Sequence, residues 1–322
     1  MMGIRSASRY GSLFCIASVL NGCGASQIPR ATQTPADATL QRPATPDRRP
    51  SWISSDAKKI PLLYVSDLGT GDVYIYAYRT GVLKGTLTGF NRPWGLCTDR
   101  VGNVYVTDIA ATLIHKYAHG GTKPIATLKD PGETPGGCAV DPTTGDLAIA
   151  NVSTLGSDPG DVAIYHKGRP PRHTFKAKGI NFYEYCGYDN AGNLFVDGQQ
   201  GGAFAFAELS AGSHVFTDVD LNAGIQFGGS VQWDGAYVAV GDYVAEKIDE
   251  FAIGPSGATE VGSTPLQGAS FAVQFSIDRG KVIAPDANGA DVLSWNYPAG
   301  GSPTSAINGL KTPWGVTVSL PR

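Results

Sequence analysis

Short runs in which apolar and polar residues alternate fill the chain from about residue 61 to its end. One example is Val73-Tyr74-Ile75-Tyr76-Ala77-Tyr78, and a period of two is typical of a β-strand with one covered face. Turn-forming residues separate the runs, and glycine, the residue that most easily turns the chain, occurs 42 times. The pattern predicts many short strands joined by tight turns.

One motif recurs along this region every 41 to 46 residues. Each copy is an apolar strand that ends in an aspartate or asparagine, and the six ends are Asp67, Asp108, Asn151, Asp197, Asp242 and Asp286. A shorter strand precedes each copy, and two further strands follow it. Four antiparallel strands in a repeat of this length are typical of a β-propeller blade. The sequence therefore predicts an all-β, six-bladed propeller over residues 61–322.

The two ends of this region carry complementary parts of one blade. Pro93-Trp94-Gly95 opens the innermost strand of the second blade, and Pro313-Trp314-Gly315 repeats it near the C-terminus. The first copy of the recurring motif, at residues 63–67, lacks such a strand before it. We therefore expect residues 313–320 to join the N-terminal blade, which closes the ring and removes two exposed sheet edges.

The N-terminal 60 residues have a different composition. Residues 1–23 combine Arg5 and Arg9 with an apolar run that is too short to span a bilayer, as in a signal peptide. Leu20-Asn21-Gly22-Cys23 resembles the bacterial lipobox, which implies acylation of Cys23 and an exported, membrane-anchored lipoprotein of the outer membrane or cell surface. An ordinary secretory signal is the alternative. Residues 24–60 are rich in Pro, Thr and Ala, and we expect a disordered tether.

The charge of the chain excludes one class of partner. A net charge of −3, with 16% charged residues, gives no electrostatic basis for binding nucleic acid. Contact with the membrane is expected through the lipid alone, and the closed ring is expected to be monomeric.

The loops around one end of the propeller channel hold the candidate binding residues. The equivalent positions that open the six innermost strands are Trp314, Trp94, Gly136, Glu184, Gly229 and Val273. We predict a ligand-binding rim of Trp94, Trp314, Glu184, Tyr183 and Arg92, suited to a sugar ring, a peptide or an organic cation. The alternative is that the two tryptophans plug the channel.

The repeated proline-x-glycine and glycine-asparagine motifs resemble those of NHL, SMP-30 and YncE-like propellers. The resemblance to SMP-30 enzymes implies a divalent cation at Glu184, with Asn151, Asp197 and Asp242 as neighbours. The glutamate-glycine-proline opening of those enzymes is missing, and Asx residues at strand ends commonly bond their own turns. We therefore expect a non-catalytic protein without a cofactor that binds a ligand or protein; a metal-dependent hydrolase or lyase and a structural scaffold are the alternatives.

Three cysteines fall inside predicted innermost strands: Cys97, Cys138 and Cys186. Small buried apolar side chains belong there, so free buried thiols are expected. A disulfide between Cys138 and Cys186, which share a repeat position on neighbouring blades, is the alternative in an oxidising envelope.

Overall fold

A computed structural model describes residues 49–130, 133–154, 159–171 and 174–322. The predicted signal peptide, the lipidation residue Cys23 and residues 24–48 of the predicted tether lie outside this range. The described chain forms six antiparallel sheets arranged as the blades of a propeller, which confirms the predicted fold.

The strands follow one another in blade order. The bounds are β1 (Trp52–Ile53), β2 (Leu62–Asp67), β3 (Asp72–Ala77), β4 (Leu83–Leu87), β5 (Pro93–Thr98), β6 (Val104–Asp108), β7 (Leu113–Tyr117), β8 (Pro124–Lys129), β9 (Glu133–Val140), β10 (Leu147–Thr154), β11 (Pro159–Tyr165), β12 (Thr174–Phe175), β13 (Phe182–Tyr188), β14 (Leu194–Gln200), β15 (Ala203–Leu209), β16 (Thr217–Asp218), β17 (Gly228–Trp233), β18 (Val238–Asp242), β19 (Lys247–Gly254), β20 (Gly257–Pro265), β21 (Ser276–Asp278), β22 (Lys281–Asp286), β23 (Asp291–Asn296), β24 (Gly300–Asn308) and β25 (Pro313–Ser319). Blade 1 contains β25 and β1–β4, and blades 2 to 6 take the remaining strands four at a time.

The innermost strand of blade 1 comes from the C-terminus, as predicted. Residues of β25 pair with β2 in antiparallel register, for example Val318 with Leu63 and Val316 with Val65. The hydrophobic core is divided among the blade interfaces, where alternate side chains of neighbouring sheets meet. One such cluster joins Tyr64 and Val73 of blade 1 to Leu96 of blade 2.

The folded domain begins before the predicted boundary at residue 61. Trp52 and Ile53 form β1, which pairs with β4 and adds a fifth strand to the outer edge of blade 1. A single 3₁₀ turn, Ala57–Lys59, follows, and Ala57 is fully buried. Residues 52–60 are therefore part of the domain rather than of a tether. This turn is the sole helical element of the described residues, so none of their helices is long and apolar enough to cross a membrane.

A disulfide joins Cys97 to Cys138, so the prediction of free thiols is wrong for these two residues and right for Cys186, and the alternative bond between Cys138 and Cys186 is wrong. Cys186 is a buried free thiol. Alternate residues of a strand point to opposite faces, so equivalent residues on successive blades point in the same direction around the ring. Cys138 faces blade 2, and Cys186 faces blade 3, where its thiol contacts the Ala148 carbonyl at 3.8 Å.

The shift of Cys97 by one repeat position is what brings it to Cys138. Cys97 pairs with Tyr105, whereas Cys138 pairs with Ile149, the equivalent of Val106. Because of this one-residue shift, the two side chains lie on opposite faces of their sheets. Cys97 points from blade 2 toward blade 3, and Cys138 points from blade 3 toward blade 2. Their Cα atoms are 5.7 Å apart, and the bond links the innermost strands of blades 2 and 3.

Candidate functional site: the channel mouth

The two tryptophans predicted at the channel mouth lie side by side. Trp94 follows Pro93, which pairs with Asp108, and Trp314 follows Pro313, which pairs with Asp67. Their ring centroids are 4.5 Å apart and their planes are inclined by 50°. Ring closure by β25 therefore creates this contact.

Both indole rings are buried, with exposures of 0% and 3%. They pack with Leu68, Ile109, Val152, Tyr185, Tyr243 and Val273, a group that we call the mouth plug. Every blade contributes at least one residue to it. This is the arrangement of the alternative prediction, in which the tryptophans close the channel, because the ring faces are covered by neighbouring side chains.

Three phenylalanines at equivalent positions surround half of the plug. Phe182, Phe227 and Phe271 lie two residues before Glu184, Gly229 and Val273, at the start of the innermost strands of blades 4, 5 and 6. Phe182 is 37% exposed, and the other two are half-buried. The matching residues of blades 1 to 3 are Thr312, Arg92 and Thr134. We call the three aromatic residues the phenylalanine crescent; the sequence predictions did not include it, although the repeat alignment contains it.

A series of aromatic contacts joins Phe227 and Phe271 of the crescent to the plug. Phe227 lies 5.9 Å from Tyr243, Tyr243 lies 4.9 Å from Phe271, and Phe271 lies 5.7 Å from Trp314, measured between ring centroids. Val244, next to Tyr243, is 43% exposed on the same face. The mouth is thus apolar on the side of blades 5 and 6.

A pair of carboxyl groups is buried beside the plug. Glu184 and Asp197 are 1% and 0% exposed. One oxygen of Glu184 accepts a hydrogen bond from Gln199 Nε2 at 2.8 Å, and one oxygen of Asp197 accepts the Tyr185 N–H at 2.8 Å. The second oxygen of each carboxyl has no hydrogen-bond partner among the described residues. Burial raises the pKa of Glu184 to about 8, and burial together with the nearby Glu184 raises the pKa of Asp197.

Asp197 does not belong to the series of strand-end Asx residues in which the sequence placed it. Cys186 pairs with Val196, as Leu96 pairs with Val106, so Asp197 is equivalent to Thr107 and Gly198 to Asp108. The shift by one residue turns Asp197 to the opposite sheet face, toward blade 5. The Gly-Asn pairs at 102–103 and 192–193 carry the signal for this alignment.

The strand-end aspartates of four blades stabilise loops, as expected if these residues bond backbone groups rather than a cation. Asp67, Asp108, Asp242 and Asp286 each accept backbone N–H groups from the loop that precedes the innermost strand of their blade. Asp67, Asp242 and Asp286 also accept N–H groups of the turn that follows them. These carboxylates are therefore committed to the scaffold.

Blade 3 departs from this pattern. Asn151 donates from Nδ2 to Asp161 at 2.9 Å, across the pair of strands β10 and β11. Asp130 and Glu133 lie nearby; burial raises the pKa of Asp130 to about 6, and burial followed by the charges of Asp161 and Asp130 raises the pKa of Glu133 to about 7.

Tyr183 and Arg92, the remaining predicted rim residues, are also buried. The Tyr183 hydroxyl accepts the Ala177 N–H at 2.6 Å and donates to the Ala177 carbonyl, so it holds the loop before β13. The backbone N–H of Arg92 donates to Asp108, and burial lowers the pKa of its guanidinium group.

The residues predicted to hold a cation do not form one donor set. Glu184 and Asp197 are neighbours, but Asn151 faces Asp161, and the oxygens of Asp242 accept backbone N–H groups. Within the described ranges, no group of three or more His, Cys, Asp or Glu side chains could hold a metal ion. The hydrolase or lyase of the SMP-30 kind stays a prediction without support from this geometry.

Below the plug, the channel contains an open cavity of about 340 Å³ that extends to the inner hairpins at Pro142 and Asn190. Its walls include Thr98 and Thr317, whose hydroxyls are 2.8 Å apart, and the amide of Gln274. Gln274 of blade 6 accepts the N–H groups of Leu96 and Val316 and donates to the Leu96 carbonyl, so one side chain ties three blades together.

Comparison with known proteins supports the fold alone. No family model matches the chain, and no curated protein matches its sequence. A chain of a nidogen/laminin complex is similar in structure, with a TM-score of 0.65 and 15% identity, over 81% of this chain and 99% of that one. A protein of unknown function from Bacteroides caccae is similar over the same shares, with a TM-score of 0.62 and 11% identity. The chain is a six-bladed β-propeller.

Proposed function

We propose that this propeller is a non-catalytic binding protein that holds a protein partner against the phenylalanine crescent. The observation that carries the proposal is the placement of Phe182, Phe227 and Phe271 at one repeat position of three consecutive blades, with their rings reaching the surface. Aromatic side chains that are grouped on a surface are the usual anchors of protein interfaces.

The shape of the mouth favours a protein over a small molecule. The mouth plug fills the channel at this end, so the crescent lies around a closed surface rather than a deep pocket. Small ligands need concave sites that cover most of their surface. The structurally similar chain from the nidogen/laminin complex comes from a protein complex, which agrees with this choice.

Site-specific photocrosslinking in cells tests the proposal. A photoreactive amino acid in place of Phe182 is expected to give a discrete adduct with a second protein, and Phe227→Ser with Phe271→Ser is expected to remove it while thermal unfolding stays cooperative. The control position is Tyr237, which is 40% exposed in an inner hairpin on the opposite face. Equal adducts at 182 and 237 would contradict the proposal. So would vesicle binding by the unlipidated domain that depends on the phenylalanines, since it would identify a lipid surface as the partner.

The proposal includes export and anchoring through Cys23. The lipobox-like sequence supports it, and so does the disulfide between Cys97 and Cys138, because such bonds persist mainly in oxidising compartments. Mass spectrometry of the mature N-terminus should find a lipid on Cys23, and Cys23→Ala should move the protein from the membrane to the soluble fraction. A mature protein that retains residues 1–22 would refute this part.

A further inference from the structure

The outer strand of blade 4 leaves its sheet after two residues. In β16, Thr217 and Asp218 pair with Glu208 and Ala207 of β15. In blades 2, 5 and 6 the corresponding strands are β8, β20 and β24, which are 6, 9 and 9 residues long. The first half of β15, around Phe204, therefore lacks the outer strand that covers this sheet edge in blades 2, 5 and 6.

The following residues, 219–225, which we call the diverted segment, belong to blade 5 instead. Leu221 forms a parallel bridge with Ala258 at the start of β20, and Ala258 donates its N–H to the Asp220 carbonyl at 2.8 Å. Apolar residues alternate along the segment, and Val219, Leu221, Ala223 and Ile225 pack in the core cluster between blades 4 and 5, which also contains Phe204 and Phe206 of β15. The backbone of the segment lies on one side of a gap and β15 on the other, and apolar side chains of both line the gap.

The exposed edge of β15 presents backbone groups to this gap. Gly201 and Gly202, with φ of 61° and 85°, form a two-residue turn that pairs Gln200 with Ala203. In the antiparallel register this directs the N–H and C=O groups of Phe204 and Phe206 away from β14. The Phe206 carbonyl accordingly accepts the Val219 N–H at 2.9 Å, whereas no described backbone group pairs with Phe204 on that edge.

The gap is a groove of about 570 Å³ with an acidic border. Phe204, Phe206, Leu221 and Ile225 line its apolar part. Asp218 and Asp220, both exposed, are the charged residues of its lining, and the lining contains no Lys, Arg or His. A bound segment would thus meet an unpaired strand edge, apolar walls and negative charge.

We propose that this groove, independently of the proposed function of the crescent, binds an extended segment of another protein that adds a strand to β15. The segment alternates basic and apolar residues: its backbone pairs with Phe204, its apolar side chains enter the groove, and its Lys or Arg side chains face Asp218 and Asp220. Recognition by strand addition takes affinity from the backbone and specificity from alternate side chains. An open strand edge is otherwise a liability that proteins cover or protect with charge.

Fluorescence anisotropy with labelled octapeptides on the full-length protein tests the proposal. A peptide of alternating lysine and valine is expected to bind, and the peptide of alternating glutamate and valine is not. Phe204→Pro removes the outward N–H, while Phe204→Val loses the same ring but keeps the donor. The proline variant should bind the basic peptide about tenfold more weakly than the valine variant.

Two further variants test the charge. Asp220→Asn should weaken binding of the basic peptide about threefold to fivefold, whereas Glu208→Gln, on the covered half of β15, should not change it. Equal binding of both peptides, or equal binding by the proline and valine variants, would overturn the proposal. A dimer of the wild-type chain in sedimentation that Phe204→Pro dissociates would also overturn it, because the occupant would then be a second copy of the chain.

Discussion

Asp197 occupies a position at which the first two blades carry a hydroxyl. Ser66 accepts the Gly315 N–H and donates to the Trp94 carbonyl of the next blade, and Thr107 does the same between Gly95 and Gly136. Asp197 accepts the corresponding N–H, that of Tyr185. A protonated carboxyl also carries one hydrogen to donate. The raised pKa of Asp197 favours the protonated form, which is the form that most resembles the hydroxyls of blades 1 and 2.

The buried pair of Glu184 and Asp197 should make stability depend on pH. The folded protein holds the Glu184 proton up to a pKa of about 8, whereas the unfolded chain loses it near 4.5. The folded state then binds more protons between these values, so the free energy of unfolding falls as pH rises through them. One proton corresponds to about 1.4 kcal/mol per pH unit. Between pH 5 and 8, urea unfolding should show a slope that is steeper in the wild type than in Glu184→Gln by about this amount, while Asp130 and Glu133, whose pKa values are also raised, add to the slope of both proteins.

Glu184→Gln should reduce that slope and raise the free energy of unfolding at pH 8 relative to the wild type. A glutamine can still accept the bond from Gln199, so the substitution removes mainly the titration. Glu208→Gln, at a half-exposed residue of β15, serves as the control and should leave the slope unchanged. An identical slope in wild type and Glu184→Gln would show that Glu184 is not held neutral.

At the scale of elements, the disulfide between β5 and β9 is a covalent link between two blades that are otherwise joined by side-chain packing and by hydrogen bonds such as that from Thr107 to the Gly136 carbonyl. The bond closes a segment with a sequence separation of 41 residues, for which loop-closure entropy gives about 4 kcal/mol. Cys97→Ser should lower the free energy of unfolding by up to this amount and abolish its response to reducing agent. Cys186→Ala should keep the response, because Cys186 is not bonded. Loss of the response in Cys186→Ala would assign the bond differently.

The same geometry predicts where a second bridge can form. Ala139 is the blade 3 equivalent of Cys97, and it lies in the core cluster that contains Cys186. Ala139→Cys should therefore form a disulfide with Cys186 under oxidising conditions, detected by peptide mapping. Val140→Cys is the matched control, because the side chain of the adjacent residue points to the opposite face of the sheet and the new cysteine should remain a free thiol.

At the scale of the whole molecule, the sequence repeat determines which structural features can be predicted from the sequence. The blade number, ring closure and contact of Trp94 with Trp314 follow from aligned repeats. The burial of a side chain does not follow from the aligned repeats, because its repeat position assigns it to a sheet face without indicating which residues cover it. The plug buries the rings of both Trp94 and Trp314. The diverted segment was equally hidden: alternation at 219–225 predicts a strand, but it does not select blade 5 over blade 4.

Ring closure gives the clearest prediction for the whole molecule. Deleting residues 313–322 removes β25, exposes the edge of β2, and takes Trp314 from the plug and the Val316 N–H from Gln274. Because blades 6 and 2 both contact blade 1 through this strand, the loss should reach beyond one blade, and unfolding should shift by many degrees or lose cooperativity. Deleting only Pro321 and Arg322, which follow β25, is the control and should leave the melting temperature within about 2 °C of the wild type. Calorimetry of the two truncations separates the outcomes: a wild-type transition in the longer deletion would mean that the ring closes without its C-terminal strand.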